Sequence, residues 1–88
     1  MSPRFRLINA SDVVRDGLGV ELVDENGQAL AEVFRCDADN SVLVNTFDND
    51  IPLDALEQLL QYAKRYLEPF EDGTPLSMAT NFGGLPNN

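Results

Sequence analysis

Histidine is absent from this chain of 88 residues. With it go the usual general base, the centre of a catalytic triad and most transition-metal sites. Cysteine occurs once, at Cys36, so no intrachain disulfide can form. The neighbouring Asp37 and Asp39 disfavour its thiolate, which makes Cys36 a packing residue at a strand end. Bases are scarce: six Lys and Arg stand against fifteen Asp and Glu, for a net charge of −9. Such a surface repels the phosphates of nucleic acids and anionic membranes, so neither is expected as a partner. No apolar run approaches the length of a membrane span and no charged-then-apolar leader opens the chain, so a cytoplasmic protein is expected. Gly17-Leu18-Gly19 is too short for a phosphate loop and leads into a strand, and none of the serines at 2, 11, 41 and 77 stands in a nucleophile elbow. No acid–base or nucleophile constellation emerges, so the expectation is a non-enzyme without a cofactor.

What is present begins with Pro52 to Glu68, PLDALEQLLQYAKRYLE. Leu53, Leu56, Leu60, Ala63 and Leu67 recur with the period of an amphipathic helix, and Leu59 and Tyr66 widen the stripe. Pro52 suits a first helical turn and Pro69 stops the helix at Glu68. Asp48, Asp50, Asp54 and Glu57 crowd its N-terminal end while Lys64 and Arg65 sit near its C-terminal end, so both ends complement the helix dipole. Asp48 or Asp50 is the expected cap.

Upstream, the pattern is β. Leu18–Asp24 and Gln28–Arg35 flank Asn26-Gly27, a strong hairpin signal. A two-residue turn at Asn26-Gly27 pairs Leu22 with Ala31, Val20 with Val33 and Glu21 with Glu32. The alternative, a type I turn over Asp24-Glu25-Asn26 with Gly27 as a bulge, slips the register and brings Glu32 onto the apolar face. The first is preferred, because a carboxylate facing the helix is costly without a partner. It directs Leu18, Val20, Leu22, Ala31 and Val33 to the helix and leaves Val23, Leu30 and Phe34 on the other side, an apolar group that wants a cover. Cys36–Ser41 reads as a turn and Val42–Phe47 as a β-branched third strand. An edge strand is possible near residues 4–9, followed by a turn at Ser11-Asp12 and an extended piece from Val13-Val14. Residues 73–88 carry no charge and no period. They read as a flexible tail after a single domain at 1–72.

Two acidic groupings offer chemistry beyond capping. Counting Asp37 as position 1, Asp39, Ser41 and Asp48 fall at positions 3, 5 and 12 of a calcium loop, but position 6 holds Val42 where glycine is needed. Asp37, Asp39 and Asp48 are thus candidate cation ligands that lack the loop's geometry, and no metal is expected. Asp48, Asp50, Asp54 and Glu57 form the densest acidic cluster, a candidate docking patch for a basic partner. The segments RDGLGVEL (15–22), AEVFRCD (31–37) and TFDNDIPLDALE (46–57) resemble short bacterial proteins of unknown function with a β-meander followed by a helix. That resemblance covers about residues 15–72; it implies a fold and no activity.

The expected fold is α+β: an antiparallel meander of three to four strands with one C-terminal amphipathic helix on one face. The expected function is a small acidic interaction or regulatory module whose partner is another protein, a second copy of the chain included. Val23, Leu30, Phe34, Asp48, Asp50, Asp54 and Glu57 are the candidate surface. The alternatives are a ligand- or cation-binding protein using the acidic loops at 37–41 and 48–50, and an acidic mimic that occupies a basic nucleic-acid-binding surface.

Overall fold

The computed structural model describes residues 5–47 and 50–81. Four strands, β1 (Arg6–Asp12), β2 (Gly17–Val23), β3 (Ala29–Cys36) and β4 (Ser41–Thr46), form one antiparallel sheet in the order β1-β2-β3-β4. Helix α1 (Leu53–Tyr66) follows them and packs across the two central strands, β2 and β3. The fold is the α+β meander with a helix after the strands. β1 is longer than expected: it runs through Ser11-Asp12, and the turn falls at Val13–Asp16, where Asp16 takes a left-handed conformation with φ 56°. Val13 and Val14 are therefore the exposed tip of a hairpin and belong to no strand.

The second hairpin combines both candidate turns. The Asp24 carbonyl accepts the Gly27 N–H at 3.0 Å, and the Asp24 carboxylate accepts the N–H groups of Asn26 and Gln28, each at 2.9 Å. Gly27 lies at φ +82°, the bulge conformation that a side chain resists. Val23 accordingly pairs with Ala29. One step on, an irregularity restores the other register, so that Leu22 pairs with Ala31, Glu21 with Glu32 and Val20 with Val33. Leu30 is the extra residue, and it joins the core beneath the helix. The pairing is the preferred one; the turn is its rival.

The buried stripe of α1 is Ala55, Leu59 and Ala63, extended by Leu67 at its C-terminal boundary and set against Val20, Leu22, Ala31 and Val33. Leu56 and Leu60 lie on its flank, half-buried. Leu53, expected in the core, is 72% exposed. It precedes Leu59 by six residues, which places it about 120° round the helix from the centre of the stripe. The N-terminus also differs from expectation. Pro52 holds the cap position with no side-chain cap, and the Asp54 carboxylate instead accepts the Ala55 N–H at 3.0 Å.

Residues 73–81 correct the expected domain boundary. Phe70, Leu76 and Ala79 belong to the same core cluster as the helix, and Leu76–Met78 form a single 3₁₀ turn. The Thr80 N–H donates to the Asn40 carbonyl at 2.8 Å and its hydroxyl to the Asp39 carbonyl at 2.9 Å, which seats this segment on the β3–β4 turn. Leu76 and Ala79 are its two buried residues, and the rest of the segment is largely exposed. The remainder of the expected tail, with Phe82, lies outside the described residues, as does Arg4 of the expected edge strand.

Leu59→Ala is expected to cost roughly 2–5 kcal/mol, because its side chain is wholly enclosed, whereas Leu53→Ala is expected to stay within about 0.5 kcal/mol. Urea unfolding of both variants checks this; equal losses would place Leu53 in the core.

Candidate interaction surface

The apolar group expected on the second face of the sheet is not exposed. Val23, Leu30 and Phe34 are all buried within the chain, Phe34 to 1% exposure, which removes them from the candidate surface. Leu30 lies in the core beneath the helix, and Phe34 is covered by the β1–β2 loop. Arg15 lays its guanidinium 4.0 Å from the centroid of the Phe34 ring and donates to both carboxylate oxygens of Glu32, at 3.1 and 2.9 Å. Its backbone N–H and Nε both donate to Asp12, which fixes the loop on the strand. Phe34 pairs with Gly19 and reaches Gly17. A Cβ on Gly17 would meet the Arg35 carbonyl oxygen at 1.9 Å, and one on Gly19 would meet Glu32 Oε2 at 3.0 Å. These glycines are the floor on which the ring and the carboxylate rest. The like-charged pair Glu21–Glu32 is relieved in the same way, since Glu32 also accepts from Asn45 Nδ2 at 3.1 Å. Hydrogen bonds from Arg15 hold the Glu32 carboxyl below its ordinary range against the opposing effect of burial, and the Arg15 backbone N–H does the same for Asp12.

The candidate cation ligands do not converge. Asp37 accepts from Arg35 Nη2 at 2.9 Å and from the Glu71 N–H at 3.0 Å. Asp39 accepts from the Ser41 hydroxyl at 2.6 Å, which lowers its pKa. Asp48 lies outside the described residues. The chain leaves Ser41 as a strand, so it does not curl round an ion as a calcium loop must. Among the described residues, no three acidic or cysteine side chains are grouped to hold a metal. Asp50, Asp54 and Glu57 are exposed beside the start of α1.

The side of the molecule at β4 is different. In the β3–β4 pair, the Phe47 N–H donates to the Leu30 carbonyl at 2.8 Å. That bond fixes the phase of the ladder: Asn45 and Leu43 turn their backbone groups toward β3, while Val42, Val44 and Thr46 turn theirs to the open edge. Asn81 engages the first of these. The Val42 N–H donates to Asn81 Oδ1 at 3.1 Å, and Asn81 Nδ2 donates to the Val42 carbonyl at 2.7 Å. Among the described residues nothing engages the outward groups of Val44 or Thr46.

Beside this edge runs an apolar groove of about 500 Å³ between α1, β4 and the 3₁₀ turn, lined chiefly by Val33, Val42, Val44, Leu60, Leu67 and Leu76. It exists because α1 covers β2 and β3 and leaves the helix-side face of β4 open. Val44 is 52% exposed as a result, and Leu43 and Phe47 are exposed on the opposite face of the same strand.

Arg35 sets the groove's far wall. Buried on the helix side opposite Leu18, it donates through Nη1 to the carbonyls of Leu67 and Pro69, at 3.0 and 2.8 Å, and through Nη2 to Asp37. It thereby ties the sheet to the end of α1 and to the turn that delivers Leu76. The sequence reading assigned no role to Arg35, Arg15 or Asn81. The adjacent glycines at 17 and 19 facing an aromatic residue were the available signal for Arg15; Arg35 and Asn81 had none.

Arg15→Ala is expected to destabilise the fold by about 1–3 kcal/mol at pH 7, since it leaves the buried Glu32 carboxylate short of donors. In the native chain, the lowered pKa of Glu32 adds stability that is present above the unfolded carboxylate range and is lost as pH falls through the lowered folded value. In the variant, burial without Arg15 favours the neutral acid. The gap between variant and native chain should therefore narrow from pH 7 toward pH 4, and adding Glu32→Gln should recover part of the loss. Denaturant unfolding across that range checks it; a gap that is constant with pH would show that Glu32 is not strained by the loss.

Among the described residues, no helix is long and apolar enough to cross a membrane. Comparison with protein-family models, with curated proteins and with solved structures returns no match.

Proposed function

We propose that the chain is a small acidic protein-interaction module, without catalytic activity of its own, that receives its partner on the β4 side between the open strand edge and α1. The observation that carries this reading is the coincidence of two surfaces that no described residue covers. The outward backbone groups of Val44 and Thr46 lie directly beside an apolar groove. Either alone is a liability that natural proteins blunt or cover. Together they make a surface with both directional and apolar binding energy.

The non-catalytic part of the reading rests on residue chemistry. The chain has no histidine, and the acids of the candidate loops are engaged in turns and ion pairs or stand exposed beside α1. The groove is lined mainly by aliphatic side chains, with Lys64 and Glu68 at its rim. That is a surface for holding a side chain and not for moving a proton.

The test is photo-crosslinking in the host cell, with benzoylphenylalanine in place of Ser77 on the groove rim and, as control, in place of Glu25 at the remote hairpin. Adducts are expected from position 77 and not from position 25, and Val44→Lys, which places a charge in the groove, should abolish them. Equal adducts at both positions, or none at 77, would remove the interaction site from this side.

A further inference from the structure

We infer that the partner presents an extended peptide that adds to β4 as a fifth strand, with aliphatic side chains at alternate positions and basic residues at its ends, and that Asn81 already occupies the first rung of this ladder. The inference rests on the interaction reading above and names the class of ligand.

The first support is the chemistry of Asn81. Its carboxamide offers one N–H donor and one carbonyl acceptor, as a peptide unit does. It applies both to a single residue of the edge, accepting from the Val42 N–H at 3.1 Å and donating to the Val42 carbonyl at 2.7 Å. That is the bonding a neighbouring strand would supply at this position. The edge is thus shown receiving an amide at one rung, and Val44 and Thr46 repeat the same outward geometry at the next two.

The second support is the placement of the groove. Side chains of an added strand alternate between the faces of the sheet, so every other one falls on the same side as Val42 and Val44. That side opens into the groove against Leu60 and Leu67. Aliphatic side chains at alternate positions are what fills it.

Charge selects the remainder. The groove rim carries Lys64 and Glu68, while Asp39 and Asp72 stand at the start of β4, hydrogen-bonded to Ser41 and Asn40. With a net charge of −9 on the chain as a whole, basic termini on the peptide gain and acidic ones lose. The same term works against a second copy. A two-fold pairing centred on Val44 sets Val42 opposite Thr46 of the copy, so it must expel Asn81 from both chains while bringing together two chains of −9.

The probe is the synthetic peptide acetyl-Lys-Val-Thr-Val-Thr-Val-Lys-amide, titrated into the isotopically labelled full chain and followed by amide shifts and hydrogen exchange. Saturable shifts are expected at Val44 and Thr46, with slowed exchange of both amides. A version N-methylated at alternate residues, which keeps the side chains but cannot form the ladder, should bind at least about tenfold more weakly, and a version with glutamate ends should lose a similar factor. Asn81→Ala should extend protection to the Val42 amide on peptide binding and leave the fold cooperative. Three results would overturn the inference: no saturable shift at millimolar peptide, equal affinity for the N-methylated version, or sedimentation showing that the chain without peptide is a dimer with Val44 and Thr46 already protected. Failure here with Val44-dependent crosslinks at position 77 intact would reject the strand and keep the interaction site; loss of those crosslinks would reject the site itself.

Discussion

The arrangement depends most on one buried guanidinium. Arg35 sits on the helix side of β3, 8% exposed, where an aliphatic residue would extend the core. Instead it gathers three acceptors from separate parts of the chain: the carbonyls of Leu67 and Pro69 and the carboxylate of Asp37. Leu67 is the C-cap of α1, where unpaired carbonyls carry the negative end of the helix dipole, and Pro69 lies in the turn that follows. Asp37 in turn accepts the Glu71 N–H, so the turn after the helix is held twice. Its Nε stays buried without a partner among the described residues, a cost that marks how far the geometry is bent toward the other bonds. Everything downstream follows from where this turn is set. Glu68 accepts the Leu76 N–H at 3.3 Å, Leu76 enters the core, and Asn81 reaches the β4 edge.

A second cation solves the opposite problem on the other face. One helix covers one side of a meander, and the uncovered side needs either polar residues or a lid. Here the lid is Arg15, held by Asp12 and Glu32 over Phe34. The ring lies low because Gly17 and Gly19 leave the facing positions empty. The cost of Gly in a strand is accepted in exchange for a flat apolar floor. Glu32, which would repel Glu21 across the hairpin, becomes the anchor for the lid. Two of the chain's few cations, Arg15 and Arg35, are thus committed to pairs with Asp12, Glu32 and Asp37.

Much of this architecture was legible beforehand, and the pattern of what was not is instructive. The strand pairing was readable because β register is set by which side chains share a face, and Val20, Leu22, Ala31 and Val33 left little choice. Register and turn are separate features here, because a bulge at Leu30 lets the expected pairing stand on the rival turn. The helix was readable from its period, but a stripe of leucines does not say which edge of the stripe meets the sheet; Ala55 is inside and Leu53 outside because the buried stripe is centred on Leu59, about 120° round the helix from Leu53. Residues 73–81 were misread because lack of charge and period signals either disorder or burial, and only the partners Asn40 and Val42 tell them apart. The expected exposure of Leu30 and Phe34 follows from the sheet alone, which foretells neither the bulge that turns Leu30 into the core nor a loop arginine folding over Phe34. The groove and edge at β4 were invisible for a simpler reason: they are properties of where the helix stops covering the sheet.

An edge that no described residue closes, beside an apolar groove, invites unwanted pairing, and the described residues limit it. β4 is six residues long, so an accidental ladder has few rungs. Asn81 fills one of them with an amide that belongs to the chain itself. The net charge of −9 raises the cost of meeting an identical edge, and does so most at low ionic strength. None of these devices acts against a short, basic, extended segment, which brings opposite charge, needs only Val44 and Thr46 to begin, and carries its own apolar side chains into the groove. Self-association and the proposed strand addition would use the same backbone groups, so features that suppress the first without blocking the second must be ones that the second does not feel. Length and charge meet that condition; covering the strand with the helix would not, and the helix lies over β2 and β3.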